Sequence, residues 1–217
     1  MSKQETTDYR AYRSTFTKKA QQIVQKLSLE EKIYLMSGLR TMEEVRKSIQ
    51  KKVNTHYNEV PYRAGGIDGK VPPVLFADGT KGVVCDRKTY TCFPVESMRG
   101  ASFDPMLEKE IGEAIGAEVL LAGANLFGGV CVNLPYHPGW GRAQETFGED
   151  PYLLGEMGAA LVEGVQTTGV IACVKHFAFN SMENARFEVD IPCDKKAEQE
   201  VFLSQFKRCV EAGAGAV

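Results

Sequence analysis

The 217-residue sequence is 43% hydrophobic and 9% aromatic, enough for a globular core and too apolar for a disordered chain. Its 26 basic and 28 acidic residues leave a formal net charge of -2 with no long block of one sign, which argues against nucleic acid and for small neutral partners. No stretch approaches 18 uninterrupted apolar residues and the opening MSKQETTDYRAYRSTF lacks an apolar signal region, so the expectation is a cytoplasmic protein with no membrane contact.

Apolar residues at helical spacing over 14–37 (Ile23, Leu27, then Ile33, Leu35 and Met36) predict two helices in tandem. Ser28, followed by Glu30 and Glu31, reads as the cap of the second. Residues 1–40 are therefore expected to be a helical segment. Residues 41–71 are polar, mixed in sign and close on the glycine-rich AGGIDG, so they read as an excursion ending in a surface loop. A regular rhythm then fills 72–217. Strands are predicted at 72–79, 125–134 and 170–177, helices at 104–123, 149–169 and 194–214, with Asp104 and Asp194 as caps. The closing Gly215-Ala216-Val217 opens a further strand. The strands are apolar throughout rather than alternating, which points to an α/β fold with a parallel sheet covered by helices.

The polar clusters fall just after the strands, where parallel α/β folds bind ligands. Asp78 follows the apolar run Val74–Ala77. As a turn residue before Gly79 it needs no function, yet at a strand end it also suits the neighbouring hydroxyls of a sugar. Trp140 is either a core residue or a platform for a sugar ring. Arg142 either pairs structurally with Glu145 or Glu149 or faces the site, to which its flanking glycines allow close approach. Lys175 and His176 end the third strand together, and burying both would be costly without polar partners. In the turn that follows, Asn180, Glu183 and Arg186 add an amide, a carboxylate and a guanidinium. Histidines at 56, 137 and 176 lack metal-ligand spacing, neither glycine-rich piece matches a nucleotide motif, and six scattered cysteines read as reduced thiols.

In order and spacing, VLFADGTKGV, TCFPVESMRGASFDPMLEKEIG, GVCVNLPYHPGWGRAQETFGEDPYLLGEM and KHFAFNSMENAR resemble family 3 glycoside hydrolases, the β-glucosidases and β-xylosidases. The resemblance covers residues 28–217 and implies the first part of that family's (β/α)8 barrel domain. About half the strands would be present, an incomplete TIM-type barrel. It further implies that Asp78, Arg142, Lys175, His176 and Arg186 bind the non-reducing-end sugar, supported by Asn180, Glu183 and Trp140. The implied reaction is retaining hydrolysis of a β-linked glycoside, part of carbohydrate catabolism, with no metal or organic cofactor. The family's nucleophilic aspartate and its acid/base glutamate would lie beyond residue 217, so no catalytic residue is assigned and the chain alone is expected to be inactive. The alternative is a non-catalytic sugar-binding or barrel-completing protein. A half-barrel with an open edge is expected to self-associate or to take up a chain that completes it. Thr80 stands where most relatives have proline, and Pro135-Tyr136-His137 where many have a basic residue; both are expected to affect which sugar fits. Phe-Ala-Phe-Asn after His176 departs from the loop of the N-acetylglucosaminidase branch and favours a β-glucosidase-like protein.

Overall fold

One mixed sheet runs in the order β1-β2-β3-β4, formed by Tyr62–Ala64, Val74–Ala77, Leu126–Cys131 and Ile171–Lys175. The structure, a computed structural model, describes residues 8–36, 62–85, 88–184, 186 and 188–217. The expected excursion over 41–61, the end of the helical segment at 37–40 and His56 lie outside the described residues.

β2, β3 and β4 are parallel neighbours, as continuous apolar strands require when both faces are covered. Phe127, Val130, Cys131, Ala172 and Val174 are fully buried in them. The closing residues contribute one parallel bridge, in which Ala216 pairs with Cys173 and its N–H donates to Ala172 O at 3.1 Å. β1 is a departure from the sequence reading. It lies in the stretch expected as loop and pairs antiparallel with β2, placing Arg63 opposite Leu75. Three residues with one charge among them carry too little periodicity to mark a strand.

The helices follow their caps. In the N-terminal segment α1 (Tyr9–Ser14), α2 (Thr17–Gln25) and α3 (Leu29–Leu35) run in succession, and Ser28 and Glu31 close a reciprocal capping box on α3. After β2 comes α4 (Glu96–Gly100), which the sequence did not suggest because it buries Glu96 and Arg99 rather than an apolar stripe. In α5 (Pro105–Leu121) the Asp104 carboxylate accepts from the N–H groups of Met106 and Leu107. Asp150 caps α6 (Pro151–Thr167) through Tyr152 N–H. Both helices start on Asp-Pro, proline standing where no N–H is needed. The expected single helix at 194–214 is instead α7 (Lys195–Ala197, capped by Asp194), a π-type turn over Glu198–Phe202, and α8 (Ser204–Glu211).

α5 and α6 pack closely because glycines face the contact. A Cβ on Gly164 would sit 2.1 Å from Lys109 O, and one on Gly112 2.9 Å from Leu161 O. The core of Ile115, Val119, Leu154, Met157, Leu161 and Val165 fills the space between this pair and the sheet. Rigid strands thus deliver Asp78, the tail of β3 and Lys175 to one end of the sheet.

Candidate functional site

At the carboxyl ends of β2, β3 and β4 lies a cavity of about 560 Å³ whose lining includes Asp78, Arg142, Lys175, His176 and Arg186. The sequence placed these five together from three separate stretches, and the structure gathers them around one space. Asp78 is the first residue beyond β2. Its carbonyl accepts from Val84 N–H at 2.8 Å, folding 78–84 into a tight loop. Gly79 makes that loop possible: its φ is +127°, and a Cβ there would lie 1.8 Å from Gly82 O. The same loop leaves the Asp78 carboxylate facing Lys175, whose Nζ donates to Oδ1 at 2.6 Å. Both side chains are only partly solvated, so the charges hold each other in place more firmly than an exposed pair would.

Asn133, just past the end of β3, organises His176. Its Oδ1 accepts from His176 N–H at 2.7 Å and lies 3.0 Å from the ring Nδ1, while its Nδ2 donates to the carbonyls of His176 and Ala178 at 2.8 and 3.0 Å. On the other side Arg142 Nη1 is 3.0 Å from Nε2. An arginine can only donate, so Nε2 is the acceptor and the network assigns the proton to Nδ1. Burial, with the Lys175 and Arg142 cations beside it, pushes the imidazole down to about 3. His176 is a neutral ring. Asn133 escaped the sequence reading because an asparagine after an apolar run looks like the start of a loop. Its position at a strand's carboxyl end, the same place as Asp78 and Lys175, was the available signal.

Behind the cavity wall, Glu183 collects three donors. Arg142 Nε bonds Oε1 at 2.6 Å, Trp140 Nε1 bonds the same oxygen at 3.1 Å, and Arg186 Nη1 bonds Oε2 at 2.9 Å. Burial tends to raise this carboxyl, but the bonds from Arg142 and Trp140 outweigh it and hold it below the usual glutamate value. Oriented with its oxygen towards the guanidinium groups, the Asn180 amide accepts from Arg142 at 3.1 Å and Arg186 at 3.3 Å. Asn180, Glu183 and Trp140 therefore hold the two arginines. Trp140 is 5% exposed, and the Arg142 guanidinium lies 5.9 Å from its ring centroid, so it is a core residue with a polar task rather than a sugar platform.

Of the two positions expected to affect which sugar fits, Thr80 lies on the cavity wall and Tyr136 does not. Tyr136 packs edge-on against Phe202 of the π-type turn at 5.6 Å. Tyr90 and Thr91 join Thr80 on the lining, brought there by the segment after β2. Among the described residues no three His, Cys, Asp or Glu side chains converge as metal ligands. Cys131 lies 3.7 Å from His176 Nδ1, but burial pushes its thiol up to about 12 and leaves it inert as a nucleophile. The cavity thus offers the carboxylates of Asp78 and Glu145, an ammonium and guanidinium groups on a rigid frame, which suits a polyhydroxylated ligand that both donates and accepts.

Residues 14–217 match the glycosyl hydrolase family 3 N terminal domain. Beta-glucosidase B of Emericella nidulans is 33% identical over 193 residues, which cover 87% of this chain and 21% of the relative. Thermostable beta-glucosidase B of Acetivibrio thermocellus is 31% identical over 200 residues, 87% of this chain and 24% of the relative. Among solved structures, beta-glucosidase 3B from Thermotoga neapolitana in complex with alpha-D-glucose superposes with a TM-score of 0.76 at 32% identity, covering 88% of this chain and 27% of that one. The Bifidobacterium adolescentis GH3 beta-glucosidase gives 0.74 at 30% identity, covering 86% and 25%. The chain spans about a quarter of the length of these relatives. With the family model matching residues 14–217 and these solved structures superposing over 86–88% of it, the chain belongs to glycosyl hydrolase family 3.

Proposed function

We propose that this chain supplies the sugar-gripping wall of a β-glucosidase-type O-glycosyl hydrolase, a retaining enzyme that acts on non-reducing-end β-linked sugars in carbohydrate catabolism. The single observation that carries the reading is the convergence of Asp78, Lys175 and Arg142 on one cavity at the carboxyl end of the sheet. Asp78 with Lys175 takes adjacent hydroxyls as acceptor and donor. Arg142 and Arg186, held by Glu183, close the other side. Residues 72–217 are read as the first part of a (β/α)8 barrel, preceded by the helical segment 1–40 and the excursion 41–71, in a protein of the cytoplasm.

A retaining glycosidase needs two carboxyl groups about 5–5.5 Å apart across the scissile bond, one to attack and one to protonate the leaving oxygen. Asp78 is tied to Lys175 and Glu183 to three donors, so neither is disposed to attack, and Glu145 alone on the lining does not make the required pair. In this reading the nucleophile and the acid/base come from residues outside the chain. A second reading, a sugar-binding protein that does not cleave, or one that completes a barrel with another chain, draws on the same two committed carboxylates.

The test is a titration of the 217-residue chain with methyl β-D-glucopyranoside, followed by NMR and repeated with Asp78→Ala and Lys175→Ala. Saturable binding that both substitutions abolish is the expected result, and its absence sinks both readings. Release of nitrophenol from a nitrophenyl β-glucoside by the purified chain would overturn the assignment of the nucleophile to residues elsewhere.

A further inference from the structure

Glu145 ends a short 3₁₀ turn, Ala143–Glu145, and its backbone N–H donates to Arg142 O at 2.9 Å, which fixes the root of its side chain beside the site. It and Asp78 are the two carboxylates on the cavity lining. Their situations differ. Asp78 already receives Lys175 Nζ and its neighbour Gly79 N–H. The nearest cation to Glu145 is Arg142, with Nη1 3.7 Å from Oε2, beyond hydrogen-bonding range. Among the described residues no hydrogen bond ends on the Glu145 carboxylate.

The bland account makes Glu145 the structural partner of Arg142. That position is filled: Glu183 takes Arg142 Nε at 2.6 Å and is itself anchored by Trp140 and Arg186. Burial raises the Glu145 carboxyl against the opposing pull of Arg142, the behaviour of a group that has lost part of its water without gaining donors; its side chain stays 24% exposed, open to the cavity. A ligand rich in hydroxyls supplies the donor that the protein does not.

From this, the geometry points to Glu145 as a further specificity-determining residue that accepts a hydrogen bond from one ring hydroxyl, so that the cavity selects its sugar through two acceptors, Asp78 and Glu145. The assignment rests on the sugar-binding reading above and deepens it. Replacing that hydroxyl by hydrogen would strand the carboxylate again, so discrimination would be concentrated at one ring position.

The experiment titrates methyl β-D-glucopyranoside and its 2-, 3-, 4- and 6-deoxy analogues into the wild-type chain and the Glu145→Ala, Glu145→Gln and Asp78→Ala variants. Glu145→Ala is expected to weaken the parent glycoside about tenfold, the loss of one charged hydrogen bond. One deoxy analogue should bind wild type and Glu145→Ala alike, and Glu145→Gln, which keeps an acceptor oxygen and the side chain's shape, should fall between. A uniform loss across all analogues would mean that Glu145 acts through Arg142 and would overturn the assignment, as would unchanged affinity. Glucoside hydrolysis by the wild-type chain that Glu145→Gln abolishes would give Glu145 the chemistry itself and equally overturn it. Binding that needs Asp78 and ignores Glu145 sinks this inference alone, whereas no binding by the wild type sinks the sugar-binding reading along with it.

Discussion

Glu183 receives hydrogen bonds from three side chains, and two of those donors, Arg142 and Arg186, also face the cavity. Removing its charge leaves two guanidinium groups repelling each other beside the Lys175 ammonium. Glu183→Gln is therefore expected to weaken methyl β-glucoside binding by roughly tenfold to a hundredfold, the range set by one or two charge-assisted hydrogen bonds. Because the carboxylate is partly solvated, the melting temperature should move little, and calorimetry beside the titration separates the two effects. His176 makes a pH prediction whose sign follows from its depressed value. The unfolded chain binds a proton near 6.5 and the folded one near 3, so between these values the unfolded state holds more protons. The contribution of His176 to stability is complete above about pH 6.5 and is lost as the pH falls towards 3. Urea midpoints at pH 7, 5.5 and 4.5 check it: the wild type should lose more stability over that range than His176→Gln, and parallel curves would refute it.

At the scale of elements, the buried ends of α4 and α5 carry two carboxylates against one guanidinium. Arg99 Nε lies 3.2 Å from Glu108 Oε2, Arg99 Nη2 lies 3.5 Å from Glu96 Oε1, and all three side chains are almost fully buried. Arg99 Nη2 also reaches Thr80 O at 3.4 Å, which ties this cluster to the loop after Asp78. Burial pushes Glu108 up to about 7 against the pull of Arg99 and raises Glu96 well above the usual carboxylate range. An acid with a raised folded value holds its proton longer when folded, so stability falls as pH rises from about 4.5 to 7 and then levels. Glu108→Gln should flatten that fall, which amounts to about 3 kcal/mol at most by the linkage relation; denaturant midpoints at pH 5 and 8 measure it. Gly164→Ala tests the helix pair: its Cβ would press on the Lys109 carbonyl, and a loss of about 1–3 kcal/mol in thermal unfolding is expected. The same elements show what the sequence could reveal. α5 and α6 were legible because Asp-Pro starts and an apolar face are local signals, and β2, β3 and β4 because continuous apolar runs mark buried parallel strands. α4 was not legible, since a helix that buries Glu96 and Arg99 inverts the pattern that identifies helices. Nor was the break at Glu198–Phe202, where nothing in EQEVF departs from helical composition. In the site, Lys175, His176 and Asp78 could be read from strand ends, and Asn133 offered the same signal, while Glu145 gains its meaning only from the neighbours that folding brings to it.

Among the described residues, the sheet and helices leave an edge and several apolar side chains uncovered. Ala216 meets β4 in a single bridge at Cys173, so this side of β4 has less pairing than the side that runs along β3. Large apolar side chains also stand in solvent, Leu121 at 80% exposed, Phe103 at 73% and Met106 at 66% among them. A sparsely paired strand edge and exposed apolar surface favour association with another chain. The proposed half-barrel is therefore expected to self-associate at micromolar concentration, and to become monomeric when a chain carrying the remaining strands of a family 3 barrel is co-expressed with it. Sedimentation velocity across a hundredfold concentration range reads the first effect, and co-purification with restored nitrophenyl β-glucoside hydrolysis reads the second. The double variant Met106→Lys with Leu121→Lys separates the two sources of association. If exposed apolar surface drives it, the charges abolish it; if the β4 edge drives it, association persists until the completing chain is added. A wild-type chain that sediments as a monomer throughout and melts in one cooperative transition would show that neither surface needs a partner, and the half-barrel reading would fall with it.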